Sequence, residues 1–467
     1  MKRIKRLWIF RIIAPNAVPA IVTEAILAFV RNYGDACYAR HFFHIKVLLF
    51  DAGLWYNQLE RNVNDHHDFA AWQHGAAKQK EEYRMYKRLS AALLSVELLL
   101  TPLACAEEDP IALAISGMTL REKVGQLFMI RPDALEGRFG PAELEDNSIT
   151  GTTRVSQEMK DTYAQYPCGG FALFRKNILN PSQLVTFTEA LHAMNSLSPM
   201  LGIDEEGGRI ARIANHPANF NVKKFSSMGA IAWSGDESKA YEVGQTIGAY
   251  LKAYGLDINF APVADVNTNP QNPVIGDRAF SSDPTVAAGM VRQVILGLHK
   301  SGTASCIKHF PGHGDTATDT HTGYAETLKT WDGISACEMI PFRAGIEAGT
   351  DFVMTAHIAA PNVTGSNEPS TMSYTMLTEK LRGELGFQGL IITDALSMGA
   401  ITEKYSSSQA CIQCIQAGVD ILLMPYDYYE AFDGVVQAVE NGVIPESRID
   451  ESVYRILSFK YSRQVTK

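Results

Sequence analysis

A single closed (β/α)8 barrel of the TIM type, an α/β fold, is what the sequence predicts, and three observations predict it. Eight short apolar runs recur between Gln126 and Pro425, stretches of helical length separate them, and the runs repeatedly end in charged or imidazole side chains. Runs this short and this apolar suit strands buried on both faces, as in a parallel sheet. Strand–helix alternation repeated eight times closes such a sheet into a barrel. The alternative, a doubly wound open sheet, would carry a glycine-rich phosphate turn after an early strand, and no GxGxxG stands in that context.

The runs are, in order, QLFMIRP, GGFALFR, PMLGIDEE, DINFAPVAD, ASCIKHF, DFVMTAH, GLIITDAL and DILLMP. Between the fourth and fifth, SSDPTVAAGMVRQVILGLHKSG opens on Ser and Asp, has Pro284 in its first turn, spaces its apolar residues three and four apart and stops at Gly302, the full set of helix signals. PSQLVTFTEALHAMN and SYTMLTEKLRGELG follow the same plan. SSSQACIQCIQAGVD also reads as a helix, so Cys411 and Cys414 are expected as small buried residues rather than a redox pair. The stretch 107–467 exceeds the ~250 residues of a typical barrel, which insertions accommodate.

Composition narrows the function classes. Of 467 residues, 46% are hydrophobic and 20% charged, a globular balance with ample core material. The net charge of -9 argues against a nucleic-acid partner, which would call for a basic face. Seven cysteines are too few for a disulfide scaffold, and the CxxC of CIQC has no second pair with which to hold zinc.

The first hundred residues differ from the rest. Residues 1–84 have no clean period, and IFRIIAPNAVPAIVTEAILAFV is broken by Arg11, two prolines and Glu24, making a poor membrane span. MYKRLSAALLSVELLLTPLACAEED then shows a basic start (Lys87, Arg88), an apolar stretch and the small-residue exit Ala104-Cys105-Ala106, the plan of a secretory signal. Translation is therefore expected to start at Met85, with 1–84 a gene-model extension or disordered, 85–106 a signal peptide or lipoprotein signal, and 107–467 the barrel. A signal-anchor and acylation of Cys105 are the other readings, the latter weakened by Pro102 where such signals usually carry Leu. All three place the barrel outside the cytoplasm, and the membrane attachment expected is a lipid anchor at Cys105.

The barrel reading expects chemistry at the C-terminal strand ends. The third run ends in Asp204-Glu205-Glu206-Gly207-Gly208-Arg209, the fourth in Asp265, the fifth in Lys308-His309, the sixth in His357 and the seventh in Asp394. After the fifth comes KHFPGHGDTATDTH, from Lys308 to His321. His309 and His313 have HxxxH spacing, but Pro311, Gly312 and Gly314 prevent the helix that zinc would need. There is no GK[ST] for a phosphate cradle. Glycoside hydrolysis needs a nucleophile and a proton donor. Asp394 is delivered to the mouth by an apolar strand. Asp319 and His321, two apart, share a side in extended backbone, so the carboxylate can fix the imidazole tautomer while the other nitrogen moves a proton.

IKHFPGHGDTATDTH, with IDEEGGRIAR, VIGDRAF, VMTAH and ITDALSMGA, resembles glycoside hydrolase family 3, in its bacterial β-N-acetylglucosaminidase branch. The resemblance runs from about Met118 to the C-terminal end. It implies a two-step retaining mechanism with no cofactor: Asp394 as nucleophile, His321 assisted by Asp319 as acid/base on a mobile loop, and Asp204, Arg212, Arg278, Lys308 and His309 as binders of the non-reducing sugar. β-Glucosidase members usually carry their acid/base on a further C-terminal domain. Here the chain runs only to Lys467 and the D-T-H loop is intact, so the N-acetylglucosaminidase branch is expected. Ala395 and Glu205 depart from the family's usual residues without removing a catalytic group. The expected substrate is a GlcNAc-containing glycan, such as a peptidoglycan fragment. A β-glucosidase or β-xylosidase of the same family, a metal-dependent phosphohydrolase and a non-catalytic sugar-binding module are the alternatives.

Overall fold

In a computed structural model, residues 109–320 and 323–463 are described. The readings made for 1–84, for the signal-like segment with Cys105, and for His321 lie outside them. All eight runs form strands: β1 Phe128–Ile130, β2 Gly170–Leu173, β3 Met200–Ile203, β4 Ile258–Asn259, β5 Ala304–Phe310, β6 Phe352–Thr355, β7 Leu390–Thr393 and β8 Leu422–Leu423. They neighbour one another in chain order, all parallel, and β8 returns to pair with β1. An Ile392–Ile421 bridge and the Thr393 N to Ile421 O bond of 3.0 Å join β7 to β8. The sheet is thus a closed barrel, as the alternation predicts.

The strands hold because they are apolar on both faces: Phe128, Phe171, Ile203, Ile258, Ile307, Phe352 and Ile391 are all buried. The helices form the outer layer. Pro284–Lys300 begins where Asp283 accepts from the Thr285 and Val286 amides, with Pro284 in its first turn, so two orphan donors are satisfied. It lies against Glu237–Ala253. A Cβ on Gly244 would sit 2.2 Å from the Val294 carbonyl and one on Gly297 2.3 Å from that of Tyr241, so glycine permits this crossing. Ser407–Ala417 is a helix with Cys411 and Cys414 buried in it as free thiols. The stretch expected as an ordinary helix at 373–386 differs: Thr375–Glu384 winds in the wider π manner, with Leu385 N donating to Lys380 O at 2.8 Å.

At the N-terminal rim of the barrel, three alternate strands are preceded by aspartates that stitch to the previous strand. Asp257 accepts from Leu201 N at 2.9 Å, Asp351 from Ser305 N at 3.0 Å and Asp420 from Ile391 N at 2.9 Å. Each also has basic neighbours: His192 for Asp257, His299 and Arg463 for Asp351, Arg382 and Arg455 for Asp420.

Candidate active site

The opposite, C-terminal rim gathers the strand-end groups singled out in the sequence. β3 delivers Asp204, after which the chain folds back as a short antiparallel pair, Glu205–Gly207 with Ile210–Ala211, turning at Gly207 and Gly208 with φ of 95° and 58°. Only residues tolerant of positive φ turn here cheaply. The return brings Arg212 Nη2 to 3.5 Å from Asp204 Oδ2. In β5 the pairing with β6 slips by one residue between Ile307 and Phe310. Such a bulge re-aims side chains, and both Lys308 and His309 find partners at the mouth. The Lys308–His309 peptide is cis.

Lys308 lies at the centre. Its Nζ is 2.7 Å from Asp204 Oδ1 and 2.7 Å from Glu206 Oε1. Arg278 grips Glu206 with both Nε (2.9 Å) and Nη2 (2.8 Å), and its Nη1 donates to Val274 O. The cluster is layered. Glu206 and Lys308 expose 3% of their side chains, whereas Asp204 exposes 21%. Burial by itself would raise the carboxyls of Glu206 and Asp204, but the cations outweigh it: Lys308 and Arg278 hold Glu206 far below the usual carboxylate range, and Lys308 and Arg212 hold Asp204 below it. Burial opposes the charge on Lys308 as well, and the two carboxylates still raise its ammonium above the ordinary value. Glu206, Asp204 and Lys308 are thus all charged at neutral pH.

A second group adjoins the first. Asp265, wholly buried, accepts from the backbone N of both His309 (3.2 Å) and His313 (2.6 Å), and its Oδ2 is 2.7 Å from His309 Nδ1. Burial would raise Asp265, but the His309 imidazole holds it below its ordinary value. A carboxylate on one ring nitrogen sets the tautomer and leaves the other nitrogen for further contacts. Both ring nitrogens of His313 are engaged by threonine hydroxyls, Thr316 and Thr320. Among the described residues no group of three or more His, Cys, Asp and Glu is arranged to hold a metal.

Asp394 stands at the end of β7, half-buried, its N bonded to Thr355 O at 2.9 Å and its Oδ1 accepting from Ala395 N at 2.8 Å. His357, at the end of β6, bonds Ala395 O and Thr371 Oγ1 and so steadies the turn behind it. Asp319 is half-buried in the loop after β5. That loop reaches the β7 side, where Ala400 N donates to Thr320 O at 3.3 Å.

Asp204, Arg212, Arg278 and Lys308 therefore meet in one ionic cluster, with His309 beside them on Asp265. Sequence reasoning gave no role to Glu206, the buried hub, or to Arg131 after β1, which stacks on Phe174 at 4.1 Å while Arg212 approaches the same ring at 5.5 Å. Glu206 was visible as one of three consecutive acids at a strand end, but nothing in the letters separates it from Glu205. Glu205 instead accepts from the Ile213 and Ala214 amides and from Tyr250, and only shapes the turn.

Residues 119–459 match the model of the glycosyl hydrolase family 3 N-terminal domain. Beta-hexosaminidase A of Pseudoalteromonas piscicida is 35% identical over 335 residues, covering 66% of this chain and 56% of that protein. Beta-hexosaminidase of Xylella fastidiosa (strain 9a5c) is 34% identical over 280 residues, covering 59% of this chain and 81% of that one. A solved glycoside hydrolase family 3 beta-N-acetylglucosaminidase from Paenibacillus sp. str. FPU-7 superposes with a TM-score of 0.68 at 34% identity, covering 75% of this chain and 64% of the other. The chain thus spans less than two thirds of the Pseudoalteromonas and Paenibacillus proteins and most of the Xylella one.

Proposed function

Because the chain belongs to glycosyl hydrolase family 3, we propose that it is a retaining, exo-acting β-N-acetylhexosaminidase that releases terminal non-reducing N-acetylglucosamine. The observation that carries this reading is the Thr320–Ala400 contact. It ties the loop bearing the D-T-H sequence to the segment that follows Asp394, so the two halves of a glycosidase pair come from adjoining loops of one mouth. The names of the relatives favour an N-acetylhexosaminide over a glucoside or xyloside.

Asp394 attacks the anomeric carbon and forms a glycosyl ester, while His321 gives its proton to the departing glycosidic oxygen. Water then attacks the anomeric carbon, surrenders a proton to His321, and the C1–O bond to Asp394 breaks to release it as carboxylate. Asp319 holds the imidazole. Asp204 and Arg212 supply an acceptor and a donor for sugar hydroxyls, His309 its second ring nitrogen, and Lys308 and Arg278 fix the charges from behind. Buried Nε atoms of Arg131 and Arg212, unpartnered among the described residues, suit a hydroxyl-rich ligand. A peptidoglycan fragment is the proposed natural source and the cell envelope the proposed location.

Nitrophenyl N-acetylglucosaminide, glucoside and xyloside assayed side by side, with and without EDTA, test the reading. N-acetylglucosaminide turnover should exceed the others and survive EDTA. Preference for the glucoside or xyloside overturns the sugar assignment, and EDTA loss rescued by zinc revives the metal-dependent alternative.

A further inference from the structure

The residue preceding His321 is buried and hydrogen-bonded through both its hydroxyl and its carbonyl, and an imidazole meets the hydroxyl. His313 is 2% exposed and Thr320 1% exposed. His313 Nδ1 lies 2.7 Å from Thr316 Oγ1, and Nε2 lies 3.1 Å from Thr320 Oγ1. The Thr316 hydroxyl has His313 O at 3.0 Å to donate to, an arrangement in which it accepts from Nδ1–H. Nε2 is then left to accept from the Thr320 hydroxyl. His313 N is itself fixed on Asp265, and Asn272 Nδ2 bonds the carbonyls of both His313 and Thr316. On its other side Thr320 receives Ala400 N. The hydrogen-bond chain therefore runs from the buried Asp265, through His313, to the residue covalently joined to His321.

We propose that His313 is a positioning residue for proton delivery, acting through the Thr320 hydroxyl to set where the chain presents His321. A histidine serving only the core could be satisfied by any neighbours. Here one ring bond goes to the loop's last residue before the acid/base and the other to Thr316 in the same loop. The inference rests on the acid/base reading of His321 given above.

Thr320→Val removes the hydroxyl while keeping shape and the carbonyl that meets Ala400. Thr320→Ser keeps the hydroxyl, and His313→Gln keeps one donor and one acceptor in altered geometry. The readout is kcat/KM for N-acetylglucosaminides with a poor leaving group (methyl) and a good one (dinitrophenyl), beside His321→Ala and a melting curve for each. General acid catalysis supplies about 10²–10⁴-fold. Misplacing it should cost Thr320→Val and His313→Gln about tenfold on the methyl glycoside, far less on the dinitrophenyl one, with Thr320→Ser close to wild type. Equal losses on both substrates, or a wild-type ratio in Thr320→Val while His321→Ala shows leaving-group dependence, overturns the positioning role alone. If His321→Ala shows no such dependence, the acid/base reading falls and this inference with it.

Discussion

Both rims of the barrel bury carboxylates against cations, yet they use them in opposite ways. At the N-terminal rim Asp257, Asp351 and Asp420 each accept a neighbouring strand's amide as well as contacting a basic side chain. The pairing there is closed upon the backbone, and it secures strand to strand. At the C-terminal rim Asp204 and Glu206 take side-chain cations instead, and the outermost carboxylate keeps an open flank. An aspartate that caps a neighbouring strand's amide is spent on the fold, as Asp265 also is on the His309 and His313 amides at the C-terminal rim. One held only by side chains keeps lone pairs for a ligand. The same residue type thus serves stability at one end and recognition at the other.

The sharpest break between the rims should come from Asp394→Asn, expected to lower turnover roughly 10⁴-fold or more, as loss of a covalent nucleophile does, while the melting temperature barely moves. Steady-state rates and calorimetry on the same preparation check it. His321→Ala should lower kcat/KM on poor leaving groups by about 10²–10⁴-fold and on good ones much less.

Glu206→Ala tests the cluster from beneath. It leaves Arg278 without its carboxylate and Lys308 with Asp204 alone, and breaking such a buried pair costs about 3–5 kcal/mol, so chemical denaturation should show a large loss of stability together with loss of activity. Glu206→Gln sharpens the same point through pH. The folded carboxyls of Asp204 and Glu206 titrate below their ordinary values, so the unfolded chain takes up protons first. Their contribution is complete above the ordinary carboxylate range and drains away as pH falls through it towards the depressed values. The melting temperature of Glu206→Gln should therefore fall less steeply than that of wild type between about pH 5 and 3. An unchanged slope would mean the cluster is not charged as described.

The smallest expected effect is at the other rim. Asp351→Asn removes a charge that His299 and Arg463 share, costing about 1.5–3 kcal/mol in denaturation, with kcat/KM unchanged on every substrate. A change in KM there would end the division between the rims.

The barrel was legible because two-sided burial leaves so plain a mark: every apolar run became a strand in the expected order. The strand-end groups were legible for the same reason, since the runs say where strands stop. Contacts between distant segments left no such mark. Glu206 looks like Glu205 in the sequence, and only their alternation within the Glu205–Gly207 strand sends one towards Lys308 and the other towards Tyr250. The leading aspartates of DINF, DFVM and DILL stood in plain view, but their amide partners lie one strand away. His313 stood out only for its HxxxH spacing with His309, and it is its two threonine bonds that make it part of the loop's frame. The π winding at Thr375–Glu384 was invisible, because its apolar spacing suits an ordinary helix equally well.

The burial of Glu206 beneath Asp204 also bears on how tightly a sugar can be held. Lys308 and Arg278 are long side chains that would otherwise sample many rotamers, and freezing one on binding costs about 0.5–1.5 kcal/mol. Glu206 has frozen both during folding, so a ligand meets a finished template and the ordering cost falls on the sugar alone. Conformationally locked sugar mimics should therefore gain affinity over flexible ones chiefly through a smaller entropic penalty, a difference that titration calorimetry reads directly.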